Sequence, residues 1–256
     1  MKYRRLLVIM TCLLFVTVAF FCVTSAFKIK EIELNVTTVE NSTENVKQLA
    51  TDYLKEFEDK NLLFANLSDI EKGLEDLSGY INVQKVEKQF PNKLSVTICE
   101  RKEAFAISYG EEYLIVDSAL CLLEKRLSNL NNIDGNYNIV LNLSLADFNN
   151  SNLQVGAPIE IYDGVTKEYL LNATESLISL RENVKEITVT VKKDGFYSRT
   201  LTLKMVEGVV FNVENASESF SAKLNATIEF YNALQIKTSG VYYTVLEDGG
   251  NVTVKS

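Results

Sequence analysis

Histidine and tryptophan are both absent from this chain of 256 residues. Without histidine there is no Ser-His-Asp or Cys-His catalysis and no His-ligated zinc. There is also no side chain that shuttles protons near neutral pH without a perturbed pKa. Two prolines leave no Pro-rich linker, and four cysteines make no disulfide framework. Positive charge is scarce too: 26 Lys and Arg against 34 Asp and Glu give a net charge of -8. That balance argues against nucleic acid, whose phosphates require clustered cations. The remaining candidate chemistry is thin. Glu111, Glu112 and Asp117 read as a solvated turn without an acid–base partner. Gly249-Gly250 has neither the following helix nor the lysine of a phosphate cradle. No catalytic, cofactor-binding or metal-ligating residue is expected, and the chain reads as a non-enzyme.

One long apolar run is present, residues 6–27, preceded by Lys2, Arg4 and Arg5. Its length matches a helix spanning a bilayer core of roughly 30 Å. The flanking charge predicts a cytoplasmic stub of residues 1–5, a transmembrane anchor over 6–27, and everything from Lys28 outside. A signal peptide cleaved after Thr24-Ser25-Ala26 is the alternative, although the run exceeds the usual apolar segment of one. Cys12 and Cys22 lie within the run. Cys99, on a strand, and Cys121, in an apolar stretch, read as buried thiols, with a disulfide between them as the alternative.

Beyond the run, periodicity outlines a first domain over residues 28–101. Ile32, Leu34 and Val36 alternate as a strand. Ser42 or Thr43 is a candidate helix cap, with Glu44 in the first turn. Val46, Leu49, Ala50, Tyr53, Leu54 and Phe57 then follow at helical spacing. Ser68 to Glu71 reads as a capping box for a helix carrying Ile70, Leu74 and Leu77. A hairpin turning at Pro91-Asn92 comes next, with Leu94, Val96 and Ile98 alternating after it. Lys85, Lys88 and Lys93 around the hairpin read as a solvated face. Glu100-Arg101 forms the junction with a second domain over residues 102–256.

That second domain has strands around Gly110, at 139–143 and at 187–213, with an Asp-Gly hairpin cue at Asp194-Gly195. One helix carries Val165, Tyr169, Ala173, Leu177 and Leu180. Another carries Phe220, Leu224, Ile228, Tyr231 and Leu234. A closing hairpin surrounds Asp248-Gly249-Gly250. Residues 127–153 are Asn-rich and read as loops around one strand.

The ordered motifs Asn61-Leu62-Leu63-Phe64, Phe90-Pro91-Asn92-Lys93-Leu94 and Glu100-Arg101, behind an apolar run, resemble the FtsQ/DivIB family of bacterial cell-division proteins. Tyr113 to Asp117 resembles the family's apolar run ending in Asp. The chain departs from the family pattern in lacking a Gly after the first strand, a Pro after Glu-Arg and a Gly after Asp117. The resemblance implies an α+β protein: a single N-terminal transmembrane helix, a POTRA-like β-α-α-β-β domain, then a mixed α/β "β-domain" with a mostly antiparallel sheet. It matches Lys223 to a lysine of the last helix and Gly240 to a glycine before the final strands. It further implies a scaffold at the division septum with FtsB/DivIC-like and FtsL-like bitopic partners, acting on the septal peptidoglycan synthase complex.

Partner binding is expected on the last helix and closing hairpin, at Tyr231, Leu234, Tyr242, Tyr243, Thr244 and Val245. The alternative is a membrane-anchored surface glycoprotein or adhesin unrelated to division. It draws on nine Asn-x-Ser/Thr sequons, at Asn35, Asn41, Asn66, Asn142, Asn149, Asn172, Asn215, Asn225 and Asn251.

Overall fold

Residues 2–38, 45–128, 138–143, 147–177, 183–194, 196–215 and 219–256 are described by the structure, a computed structural model. The chain divides into two compact units, Met1–Glu100 and Arg101–Ser256.

The first unit opens with helix α1 (Lys2–Ala26), which covers the apolar run. Among the described residues, no helix is long and apolar enough to cross a membrane. That overturns the single transmembrane helix in the expected fold.

The elements that follow are β1 (Glu31–Thr37), α2 (Val46–Lys55), α3 (Leu67–Glu75), β2 (Ile81–Gln89) and β3 (Lys93–Glu100). They make a three-stranded sheet in the order β1-β3-β2, with β1 parallel and β2 antiparallel to the central strand. Register brings apolar residues into rows: Leu34 with Val96 and Val86, and Val36 with Ile98 and Val83. Val46, Ala50 and Leu54 of α2 and Ile70 and Leu74 of α3 are the buried positions of the two helices. On the opposite sheet face Lys93 bridges Glu31 and Glu33 at 3.0 and 3.1 Å.

Both helix starts differ from the sequence expectation. The candidate caps Ser42 and Thr43, with Glu44, lie outside the described residues. Asn45 caps α2, its Oδ1 accepting from the Gln48 N–H. Asn66, not Ser68, caps α3; its Oδ1 accepts from the Ser68 N–H, so the expected capping box is displaced by an Asx turn. The helices also stop short of Phe57 and Leu77. Gly73 lets them approach, because a Cβ there would lie 1.9 Å from the Tyr53 hydroxyl.

The second unit contains β4 (Glu103–Tyr109), β5 (Glu112–Asp117), β6 (Leu122–Arg126), β7 (Ile139–Leu141), α4 (Gly164–Leu177), β8 (Val184–Asp194), β9 (Phe196–Met205), β10 (Val210–Val213), α5 (Phe220–Ala233), β11 (Val241–Leu246) and β12 (Val252–Lys255). The strands form one sheet in the order β12-β11-β10-β9-β8-β7-β4-β5-β6. The pairs β4–β7, β7–β8 and β10–β11 are parallel and the others antiparallel. One apolar row crosses seven strands in register: Leu114, Ile107, Leu141, Ile187, Leu203, Phe211 and Tyr242. Its first six members are fully or almost fully buried. At roughly 1.5–3 kcal/mol for each buried aliphatic or aromatic side chain, this row is a main source of the unit's stability.

Asp117 is not part of a solvated turn. It is 6% exposed; Oδ1 accepts from the Ala119 and Cys121 N–H groups, and Oδ2 accepts from Arg101 at 3.0 Å. Cys99 is half-buried and Cys121 buried, with the Cys121 thiol donating to the Gly156 carbonyl at 2.9 Å. The Gly195 turn, Leu180 and most of residues 129–146 lie outside the described residues.

Asp163 precedes α4 and joins it to β9. It accepts from the Thr166 N–H and hydroxyl, and Arg199 donates to both of its carboxylate oxygens at 3.1–3.2 Å. Burial alone would raise its pKa, but the Thr166 donors and the Arg199 guanidinium outweigh that and hold it below the ordinary aspartate value. A carboxyl depressed on folding contributes stability that is complete above its unfolded pKa and is lost as pH falls through the folded one. Asp163→Asn should therefore lower the urea midpoint at neutral pH, and the difference should shrink as the pH falls below the ordinary aspartate range. In the first unit, Val96 is 0% exposed. Val96→Asp should cost on the order of 4 kcal/mol, read as loss of the cooperative melt of a fragment spanning residues 27–101.

Candidate partner-binding edge

The β10-α5-β11 segment is a crossover between adjacent parallel strands, and its helix covers the closing hairpin. Leu224, Thr227 and Tyr231 of α5 are buried, and so is Lys223, at 1% exposure. Lys223 holds the start of the helix. Ser219 stands at the N-cap with φ 52 and makes no side-chain cap bond. The Lys223 ammonium instead donates to the Glu214 and Asn215 carbonyls, each at 2.9 Å, fixing the chain as it leaves β10. Thr227 donates to the Lys223 carbonyl at 2.8 Å and lies 2.7 Å, hydroxyl to hydroxyl, from Thr244 of β11. A polar pair is thereby satisfied inside an apolar layer.

Aromatic side chains complete the seat. Tyr242 stacks on Phe211 at 5.4 Å and meets Phe230 at 5.0 Å, while Tyr231 contacts Phe211 edge-on. Lys237 lies 4.3 Å over the Tyr231 ring. Burial, and after it the charge of Glu207, raises the Tyr231 pKa, so the ring stays a neutral phenol. Gly240 opens β11 with φ +142, and a Cβ there would lie 2.7 Å from the Tyr242 ring.

The opposite face of the hairpin is open. Val241 is 48% and Tyr243 42% exposed, with Val245 half-buried beside them. Tyr243 pairs with Asn212 on one side and Lys255 on the other. Strand β12 is the edge of the sheet. The hairpin closes with Glu247 N–H donating to the Asn251 carbonyl at 2.9 Å. Antiparallel alternation then turns the N–H and C=O groups of Val252 and Val254 outward. At the other end of the sheet, a loop covers the start of β6: Leu122 N–H donates to Ala157 and Gly156 N–H to Leu122. Lys255 and Glu247 pair across the hairpin at 2.5 Å.

Comparison with known proteins bears on this arrangement. Residues 27–101 match the POTRA domain, FtsQ-type. The cell division protein DivIB of Clostridium botulinum strain Loch Maree is 23% identical over 240 residues, covering 93% of this chain and 87% of its own. DivIB of strain Hall is 22% identical over 238 residues with the same coverage. Residues 27–101 thus carry an FtsQ-type POTRA domain, and most of the chain is similar to DivIB cell division proteins.

Among the positions expected to bind a partner at the C-terminal end, only some face solvent. Tyr231 and Thr244 are buried, and Leu234 and Tyr242 are half-buried against the core. Tyr243 and Val245 are on the open face. Glu100 ends β3 opposite Ile81, and Arg101 is bonded to Asp117 in its own unit. The sequence reading put Val241 on one face with Tyr243 and Val245 but left it out of the expected site, and it did not name Val252 and Val254 as the edge. Alternation in 241–246 located the face, but the identity of the unpaired side depends on strand order. Among the described residues, no group of His, Cys, Asp or Glu is arranged to hold a metal ion.

Lys223→Met keeps the volume but leaves the Glu214 and Asn215 carbonyls without this donor. It should destabilise the second unit by roughly 1–3 kcal/mol, measured as a lower urea midpoint with the slope unchanged.

Proposed function

We propose that the chain is a scaffold of the division septum, without catalytic activity of its own. It binds FtsB/DivIC-like and FtsL-like bitopic proteins on the side of the membrane where peptidoglycan is built. Through them it helps to recruit or regulate the septal peptidoglycan synthase complex. The observation that carries this reading is the open edge of β12 beside the exposed Tyr243. Such an edge suits an incoming partner strand, whose backbone supplies the missing hydrogen bonds while tyrosine anchors a side chain. The DivIB relatives support the division context.

The test separates edge from face. Val252→Pro removes an outward N–H and leaves the pairing with β11, as proline on an edge strand does. It should abolish capture of a DivIC-like partner without changing the melting temperature. Tyr243→Ala should weaken capture about tenfold or more. Tyr242→Ala should act chiefly on stability, since that ring stacks on Phe211. Full binding by a folded protein truncated after Ser239 would move the site elsewhere.

A further inference from the structure

The first unit carries at one end a set of apolar side chains that its core does not use. Phe64 is 74% exposed, Phe90 59% and Leu63 38%. Phe27 meets Phe90 edge-on at 5.8 Å. The turn bearing them is held rigidly. Asn61 donates to the Thr24 carbonyl at 3.0 Å, and its Oδ1 accepts from the Leu63 N–H at 2.9 Å. Leu62 N–H donates to the Phe27 carbonyl at 2.7 Å, and the Leu62 side chain is fully buried. Leu62 thus pins the turn from below while Leu63 and Phe64 project. Beside Phe64 is an open cavity of about 440 Å³, lined also by Thr24, Ser25, Lys28, Asp59 and Asn61.

Lysines rim this tip. Lys28 lines the cavity. Lys88 donates to the Leu63 carbonyl at 3.0 Å, and Lys60 lies 4.3 Å over the Phe57 ring. Among the described residues none of these three forms an ion pair, whereas Lys55, Lys85 and Lys93 are paired with Asp52, Glu87 and the β1 glutamates. Among the described residues Asp59 is the one carboxylate in the cavity wall. In a chain of net charge -8, exposed phenyl rings beside lysines that form no ion pair among the described residues are a specific combination. Rings suit the boundary between headgroups and acyl chains, and lysines reach phosphates while their stems cover apolar surface. We propose that this tip, Leu63, Phe64 and Phe90 with Lys28, Lys60 and Lys88, docks on a surface of anionic phospholipid.

The lack of tryptophan makes the proposal directly measurable. Phe64→Trp in the full chain introduces a sole indole at the tip, at a position that the core does not use. The protein is mixed with vesicles of phosphatidylglycerol and phosphatidylcholine in equal parts, or of phosphatidylcholine alone. The expected result is a blue shift, with quenching by lipids brominated near the headgroup, on the anionic vesicles. The shift should be much weaker on phosphatidylcholine and in high salt. Adding Lys28→Glu and Lys88→Glu should weaken the apparent affinity about tenfold or more with an unchanged circular dichroism spectrum. Val206→Trp, at an exposed position of the second unit, should show no shift and serves as the reference. An unshifted emission for Phe64→Trp on vesicles that sediment the protein overturns the proposal. So does a shift that is equal on neutral vesicles and indifferent to the lysine reversals. A shift that appears only with a protein partner would assign the tip to protein docking and equally overturn it.

Discussion

The second unit depends on register. A row of apolar side chains stays on one face across seven strands only if every pair holds its alignment, because a slip of one residue turns that strand's apolar set to the other face. Three of those alignments are parallel, and parallel neighbours cannot be joined by a tight turn. Helix α5 is the crossover that makes one of them, between β10 and β11, and its buried face must therefore match the row it covers. Lys223 and the Thr227–Thr244 pair are the points where that match is polar. The lysine ammonium satisfies carbonyls at the exit of β10, and the two hydroxyls satisfy each other where helix meets strand. Groups of this kind are costly if left half-satisfied and restrictive when complete, so they fix where the helix sits along the strands it joins.

The three-stranded sheet of the first unit solves the same problem with fewer parts. Its central strand, β3, pairs on both sides, and Val96 and Ile98 stand in rows with residues from both neighbours. The polar face carries Lys93 between two glutamates, a solvated arrangement of small energetic weight. The helices instead take their position from the apolar face and from Gly73, where the absence of a Cβ admits the Tyr53 ring.

Alternation made much of this legible in the sequence. Leu94, Val96 and Ile98 announce a strand, and Phe220, Leu224 and Tyr231 announce a helix face, because burial on one side imposes a period that any reader can count. Lys223 and Thr227 share that helix face, yet their burial could not be read from the pattern, since their partners are backbone carbonyls and a hydroxyl on distant segments. Asp117 failed for the same reason: its donors, Arg101 and two backbone N–H groups, become visible only when the turn is closed. Strand β6 was hidden because its residues do not alternate. The exposed tyrosine of the Tyr242–Tyr243 pair was decided by which side α5 covers, and the open edge by strand order. A membrane-spanning helix was the natural reading of an apolar run, and among the described residues no helix meets the length and apolarity it requires.

Asparagine side chains at turns have a consequence for the Asn-x-Ser pattern. Asn66 accepts from the N–H of Ser68, and Asn149 accepts from both the N–H and the hydroxyl of Ser151. The Asn149 and Asn142 amides also donate, to Glu160 and to Glu186. At Asn66 and Asn149 the motif is the chemistry of a local bend, with the acceptor and the serine that donates to it two residues apart because that is the reach of an Asx turn. A secretory host that attaches sugars to Asn-x-Ser/Thr would be adding them to amides already employed in holding the chain's own corners.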